Sequence, residues 1–208
     1  MHSCGMSYPD NRAFCWGIGG SGQLGDGTGA SHPTPVAVVG AFQFRQVTVG
    51  YNHSCGVTTA NWAYCWGDSQ FGQVGDSTEG WIRRKPVRVA GTRQYRQIDG
   101  SSYNTCAVTA ADNRAYCWGR NDFGQIGDGT LHSRRWPTAV AGSLNIRRVT
   151  AGYVNTCGEA VGSRAYCWGA NSTGALGDGT ITRRLTPVPV AGGLFFSQVS
   201  AGAGYACG

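Results

Sequence analysis

The sequence predicts an all-β fold, a β-propeller built from four-stranded blades of about 50 residues each. Three observations carry that expectation. The tripeptide Cys-Trp-Gly begins at Cys15, Cys65, Cys117 and Cys167, at spacings of 50, 52 and 50 residues. Another cysteine precedes each copy (Cys4, Cys55, Cys106 and Cys157), spaced by 51 each time, and Cys207 follows 50 residues after the last. Poor helix formers dominate, with 34 glycines in 208 residues, and no window keeps apolar residues at the three- and four-residue steps of an amphipathic helix.

Each unit justifies its elements in the same order. In the second, SCGVTT and AYCWG flank a turn around Asn61 and read as a hairpin. The glycine-rich turn GQVGDST (72–78) follows, then Pro86 and the Val-rich run PVRVAG, then the strand-like RQID that leads to the next first cysteine. The other copies carry GQLGDGT (22–28), GQIGDGT (124–130) and GALGDGT (174–180), with prolines at Pro35, Pro137 and Pro187. First-to-second cysteine spacings alternate as 11, 10, 11 and 10, which one extra residue in the hairpin turn explains. The chain therefore reads as a single repeat domain, 1–208, with units at approximately 4–54, 55–105, 106–156 and 157–206. It starts and stops in mid-unit.

Composition narrows the class. Apolar residues reach 41% and charged residues only 13%, which excludes wholesale disorder. Glycine lacks the every-third-residue period of collagen. No apolar run approaches the roughly 20 residues of a membrane helix, and residues 1–30 lack the layout of a secretory leader. The net charge of +6 is almost all arginine, since Lys85 is the one lysine. That bias suits bidentate contacts with carboxylate or phosphate.

The pattern Cys-Gly, x9, Cys-Trp-Gly, x4, GQLGDGT, x6, Pro-Val resembles the regulator-of-chromosome-condensation repeat in its bacterial, cysteine-bearing form, across essentially the whole chain. Departures are small: Ala175 replaces Gln, Ser77 replaces Gly, Thr138 replaces Val, and Ser101 stands where other copies have Gly50, Gly152 and Gly202. The resemblance implies a propeller, usually of seven blades. Seven blades need about 350 residues at this repeat length. The expectation is therefore a piece of a longer propeller, or a half-ring completed by association.

The cysteines carry the sharpest chemical signal. Cys4 with Cys15, Cys55 with Cys65, Cys106 with Cys117 and Cys157 with Cys167 would face each other across a hairpin, within reach of a disulfide. Disulfides favour an oxidising compartment, hence an extracellular or periplasmic, secreted protein. Buried reduced thiols and, more remotely, zinc are the rival readings, although Cys-x2-Cys knuckles are absent. The GQLGDGT loops lack the Gly-Lys-Ser/Thr ending of a phosphate loop. One carboxylate per loop (Asp26, Asp76, Asp128, Asp178) makes a thin calcium ligand set, and Asx-turns explain the geometry more simply.

Arg83-Arg84, Arg134-Arg135 and Arg183-Arg184 recur after these turns, with Ser31-His32 at that place in the first unit. Together with Trp81 and Trp136 they form a candidate anion- or protein-binding arc on one face, set against a plain solvated rim. The four histidines lack matched acidic partners and no serine sits in a nucleophile elbow. The expectation is thus a non-catalytic binding scaffold with no cofactor and no metal. Its partner would be a protein or acidic polymer; no specific nucleic acid and no membrane span are expected. The alternatives are an intracellular guanine-nucleotide exchange and chromatin-binding propeller, which the resemblance suggests, and a self-assembling repeat array.

Overall fold

The computed structural model describes residues 1–208 apart from Glu79. Its first sheet holds β1 (His2–Met6), β2 (Ala13–Gly17) and β3 (His32–Ala37). Three complete blades follow. They are β4 (Phe44–Val49), β5 (His53–Thr58), β6 (Ala63–Asp68) and β7 (Ile82–Arg88); β8 (Tyr95–Gly100), β9 (Asn104–Thr109), β10 (Ala115–Gly119) and β11 (Arg134–Ala139); and β12 (Ile146–Ala151), β13 (Asn155–Ala160), β14 (Ala165–Gly169) and β15 (Arg184–Pro189). A 3-10 turn at Ala191–Gly193 leads to the short pair β16 (Ser200–Ala201) and β17 (Ala206–Cys207).

All pairings are antiparallel between chain neighbours, so each blade is a four-stranded meander. The sheets are out of phase with the sequence units. Each complete blade takes its first strand from the end of one unit and its other three from the next. Those first strands are the inner ones, and glutamine side chains join them across the blade boundary. Gln46 Nε2 donates to the carbonyl of Ile98 (2.8 Å) while its Oε1 accepts from the Ile98 amide (3.1 Å). Gln97 repeats this with Val149 at 2.9 and 3.0 Å.

Burial follows position within the blade. The second strands β5, β9 and β13 are buried at every residue, because both faces are covered by neighbouring blades. The outer strands are mostly exposed or half-buried and carry the prolines Pro33 and Pro35, Pro86, Pro187 and Pro189, with Pro137 buried in β11. Proline lacks a ladder donor and is at home on an edge, where it discourages pairing with other chains. A register shift at Cys65/Gly67 and its equivalents further disrupts each edge.

The core lies between blades. One cluster joins Cys55, Val57, Val74 and Val89 of the second blade to Tyr95, Ile98 and Trp118 of the third. In the three complete blades the Cys-Trp-Gly indole packs under the glycine-rich turn of the preceding blade. Trp66, Trp118 and Trp168 are fully buried, and their Nε1 atoms donate to the carbonyls of Gln23, Gln73 and Gln125, each at 2.9 Å. The same carbonyls accept from Ser54, Thr105 and Thr156 hydroxyls at 2.8–2.9 Å. A backbone bond closes each seam from the outside: Gly27 to Arg84, Ser77 to Arg135 and Gly129 to Leu185.

Candidate functional site

The β4–β5 and β6–β7 connections and their counterparts gather at one end of the blades, and the hairpin turns lie at the other. At the loop end the DGT and DST turns are self-contained. Asp76 accepts from the Thr78 amide and hydroxyl and from Arg83 Nε at 2.6 Å. Asp128 and Asp178 bind Thr130 with Arg134 and Thr180 with Arg184 in the same way, with Nε–Oδ2 distances of 2.8 and 2.7 Å. His32 takes the arginine's place against Asp26, at 3.1 Å. Burial alone would raise these carboxyls, but the Thr bonds, with Arg in three turns and His32 in the first, outweigh it and hold all four below the usual range, Asp178 at about 2.

These clasps sort the predicted arginines. Arg83, Arg134 and Arg184 are half-buried in their own loops, whereas Arg84, Arg135 and Arg183 are exposed. The fourth unit's pair, like Ser31-His32 in the first, is shifted by one residue: Arg184, not Arg183, matches Arg83 and Arg134, and Leu185 stands where Arg84 and Arg135 do. Trp81 (68% exposed) precedes β7 and Trp136 (52% exposed) lies within β11, so the two occupy different repeat positions.

Sequence reasoning missed an aromatic arc at this same end. Tyr103 lies 5.9 Å from Tyr51, 6.3 Å from Tyr153 and, edge-on, 5.5 Å from Phe71, measured between ring centres. The Arg120 guanidinium stands 5.4, 5.7 and 5.8 Å from the rings of Phe71, Tyr103 and Phe123, fixed by a 2.6 Å ion pair to Asp122. Tyr51 and Tyr153 are exposed and also line a cavity of about 360 Å3 with His2, Gly50, Ser101 and Gly152. The signal was an aromatic residue four positions before Cys55 and Cys157 but three before Cys106, an offset that hides the alignment.

The remaining candidates have local roles. Disulfides join Cys4–Cys15, Cys55–Cys65, Cys106–Cys117 and Cys157–Cys167, each pair directly opposite across its hairpin, and Cys207 is a free, exposed thiol. His53 is fully buried, and burial, reinforced by His2, pushes its pKa down to about 3. Its Nε2 lies 2.9 Å from the Thr105 hydroxyl, which itself donates to Gln73, so Nε2 is the donor, and the lowered pKa keeps the ring neutral near pH 7. His2 stands in the same relation to Ser54, with a pKa lowered to about 4. Among the described residues, no group of three or more His, Cys, Asp or Glu is placed to hold a metal ion.

The chain matches the regulator of chromosome condensation (RCC1) repeat over residues 10–57, 112–158 and 163–208, and a second form of that repeat over 44–73 and 95–125. The chain belongs to the RCC1 repeat family. It is similar to the human E3 ubiquitin-protein ligase HERC2, 27% identical over 154 residues, which is 71% of this chain and 3% of that protein. In fold, this RCC1-repeat chain is similar to human WBSCR16 (TM-score 0.86, 19% identity, 97% of this chain and 54% of that one). It is also similar to Prp20p of Saccharomyces cerevisiae (TM-score 0.84, 23% identity, 97% and 52%), described as binding Gsp1p and histones. The chain thus spans about half the length of those two solved structures. No helix among the described residues is long and apolar enough to cross a membrane.

Proposed function

We propose that this RCC1-repeat propeller is a secreted, non-catalytic scaffold that recognises a protein or an anionic surface through its loop end. The arc of Tyr51, Tyr103 and Tyr153 with Phe71 and Arg120 carries this reading. Tyr, Trp and Arg are the side chains that anchor protein interfaces, and Trp81, Trp136, Arg84, Arg135 and Arg183 extend the same end outward. The clasped turns support it further, since loops that satisfy their own polar groups are preorganised and lose little entropy on binding. Four cross-strand disulfides support an oxidising setting. Histidines kept neutral in seams and carboxylates committed to clasps support a role without catalysis.

The test is capture of partners from the source organism's secretions by the full chain and by Tyr103→Ala with Arg120→Ala. A defined protein retained by the wild type and lost by the variant is the expected result. Equal retention overturns the assignment to this end. A second reading, nucleotide exchange on a small GTPase with chromatin binding, is favoured by the likeness to Prp20p. Acceleration of nucleotide release by the chain would establish it. Alkylation without reduction separates the settings: eight protected cysteines fit export, and nine labelled ones fit the intracellular reading.

A further inference from the structure

The charge of this molecule is unevenly divided between its two ends. At the loop end eight cationic residues face seven described aspartates, four of them held in the clasps. At the hairpin end nine arginines stand against three acids, Asp10, Asp112 and Glu159. Two of those acids are already committed: Glu159 is buried beneath Arg147, and Asp112 accepts from Thr109 within its own turn. The excess positive charge therefore sits where no sequence motif pointed.

Seven of the hairpin-end arginines are ordered in two rows. Arg45, Arg96 and Arg147 open the inner strands, one per blade. Arg45 Nη2 donates to the carbonyl of Tyr95 (3.1 Å) and Arg96 Nη2 to that of Ile146 (3.1 Å) in the following blade. Burial, and then the neighbouring guanidiniums of Arg45 and Arg147, push the Arg96 pKa down, a sign that the three crowd one another. In the outer row each guanidinium lies over an aromatic ring: Arg88 over Trp62 (3.7 Å), Arg93 over Tyr116 (4.5 Å), Arg164 over Phe195 (5.5 Å) and Arg12 over Phe14 (5.7 Å).

We infer that the hairpin end is a second binding surface, independent of the loop end, that takes an acidic polypeptide segment. A guanidinium stacked on a ring is held in place and offers its N–H edge, the fork that matches a carboxylate with two hydrogen bonds. One such fork per blade suits an extended chain bearing repeated carboxylates. The stacked rings give apolar contact between the charges, as protein interfaces do. Trp62 and Tyr116 are half-buried and have one face under a guanidinium, which leaves them little surface to stack on nucleobases or to enter a bilayer. The protein would then bridge two partners, one at each end.

The experiment uses the full disulfide-bonded chain and a fluorescent 20-residue polyglutamate peptide, read by anisotropy across a salt series. Arg93→Glu with Arg164→Glu should weaken binding roughly tenfold or more and flatten its salt dependence, as expected for lost charge contacts. Lys85→Glu, at the loop end but outside the residues assigned to partner binding there, should change it less than about twofold. Arg93→Gln with Arg164→Gln serves if the reversed pair does not fold, and should weaken binding in the same direction. Three results overturn the proposal: no binding of the peptide, equal loss from the loop-end variant, or tighter binding of duplex DNA or phosphatidylserine vesicles than of the peptide. None of these touches the loop-end reading, which is tested at Tyr103 and Arg120.

Discussion

The indole nitrogen of Trp118 donates a 2.9 Å hydrogen bond to the backbone carbonyl of Gln73, 45 residues earlier and one blade away. Trp66 and Trp168 do the same with Gln23 and Gln125. The bond is buried, so its loss is not made good by water. Trp118→Phe keeps most of the apolar packing but removes the donor. It should lower the unfolding free energy by about 1–3 kcal/mol, read from urea denaturation. A loss near zero would mean that packing alone holds the seam.

The turn above that indole has its own requirement. Gly75 has φ +75°, and a Cβ there would lie 2.5 Å from Trp118 Nε1. Gly75→Ala combines left-handed strain with a clash against a fully buried side chain, and should cost about 2–4 kcal/mol. Gly20, with nothing within 4 Å of its added Cβ and no positive φ, is the control. Gly20→Ala should change stability by less than about 0.5 kcal/mol. Paired thermal melts of the two variants check this.

Acid should reveal His53. Its folded pKa, near 3, lies below the value of about 6.5 expected for an unfolded chain, so the unfolded state takes up the proton first. Stability is then full above pH 6.5 and falls as the pH drops toward 3. The His53 contribution to that loss at pH 5 is about 2 kcal/mol. His53→Asn, the residue found at Asn104 and Asn155, should make the fall in melting temperature between pH 6.5 and 4 less steep, with His2 left to supply the remainder. An unchanged pH profile would remove His53 as the cause.

Each disulfide closes a loop of 10 or 11 residues. Replacing Cys106 and Cys117 together by alanine should cost roughly 3 kcal/mol in the chain-entropy account. Both sulfurs are buried, so part of that loss is packing. A mild reductant should lower the wild-type melting temperature and move the double variant less.

How much of this was legible in the sequence depended on range. Cysteine partners 10 or 11 residues apart, the hairpins between them and the Asx-turn carboxylates are local, and repetition made each visible four times. The phase of the blades was not, because the bonds that set it join Gln46 to Ile98, some 52 residues on. Arg45, Arg96 and Arg147 escaped for the same reason: their acceptors are backbone carbonyls of the next blade, which no residue type announces. Tyr103 escaped because it stands one residue out of step with Tyr51 and Tyr153. The arginine pair was visible, but its division between clasp and surface needed the distance from each guanidinium to its aspartate.

Because a sheet borrows its innermost strand from the preceding period, no sequence period is a self-sufficient module. The junctions nevertheless use the same parts each time, an indole and a hydroxyl meeting one carbonyl beneath a glycine. Excision or duplication of a whole period, between any two equivalent positions, would join surfaces that already know each other. The number of blades is then free to drift by unequal recombination, while the chemistry of every junction stays constant.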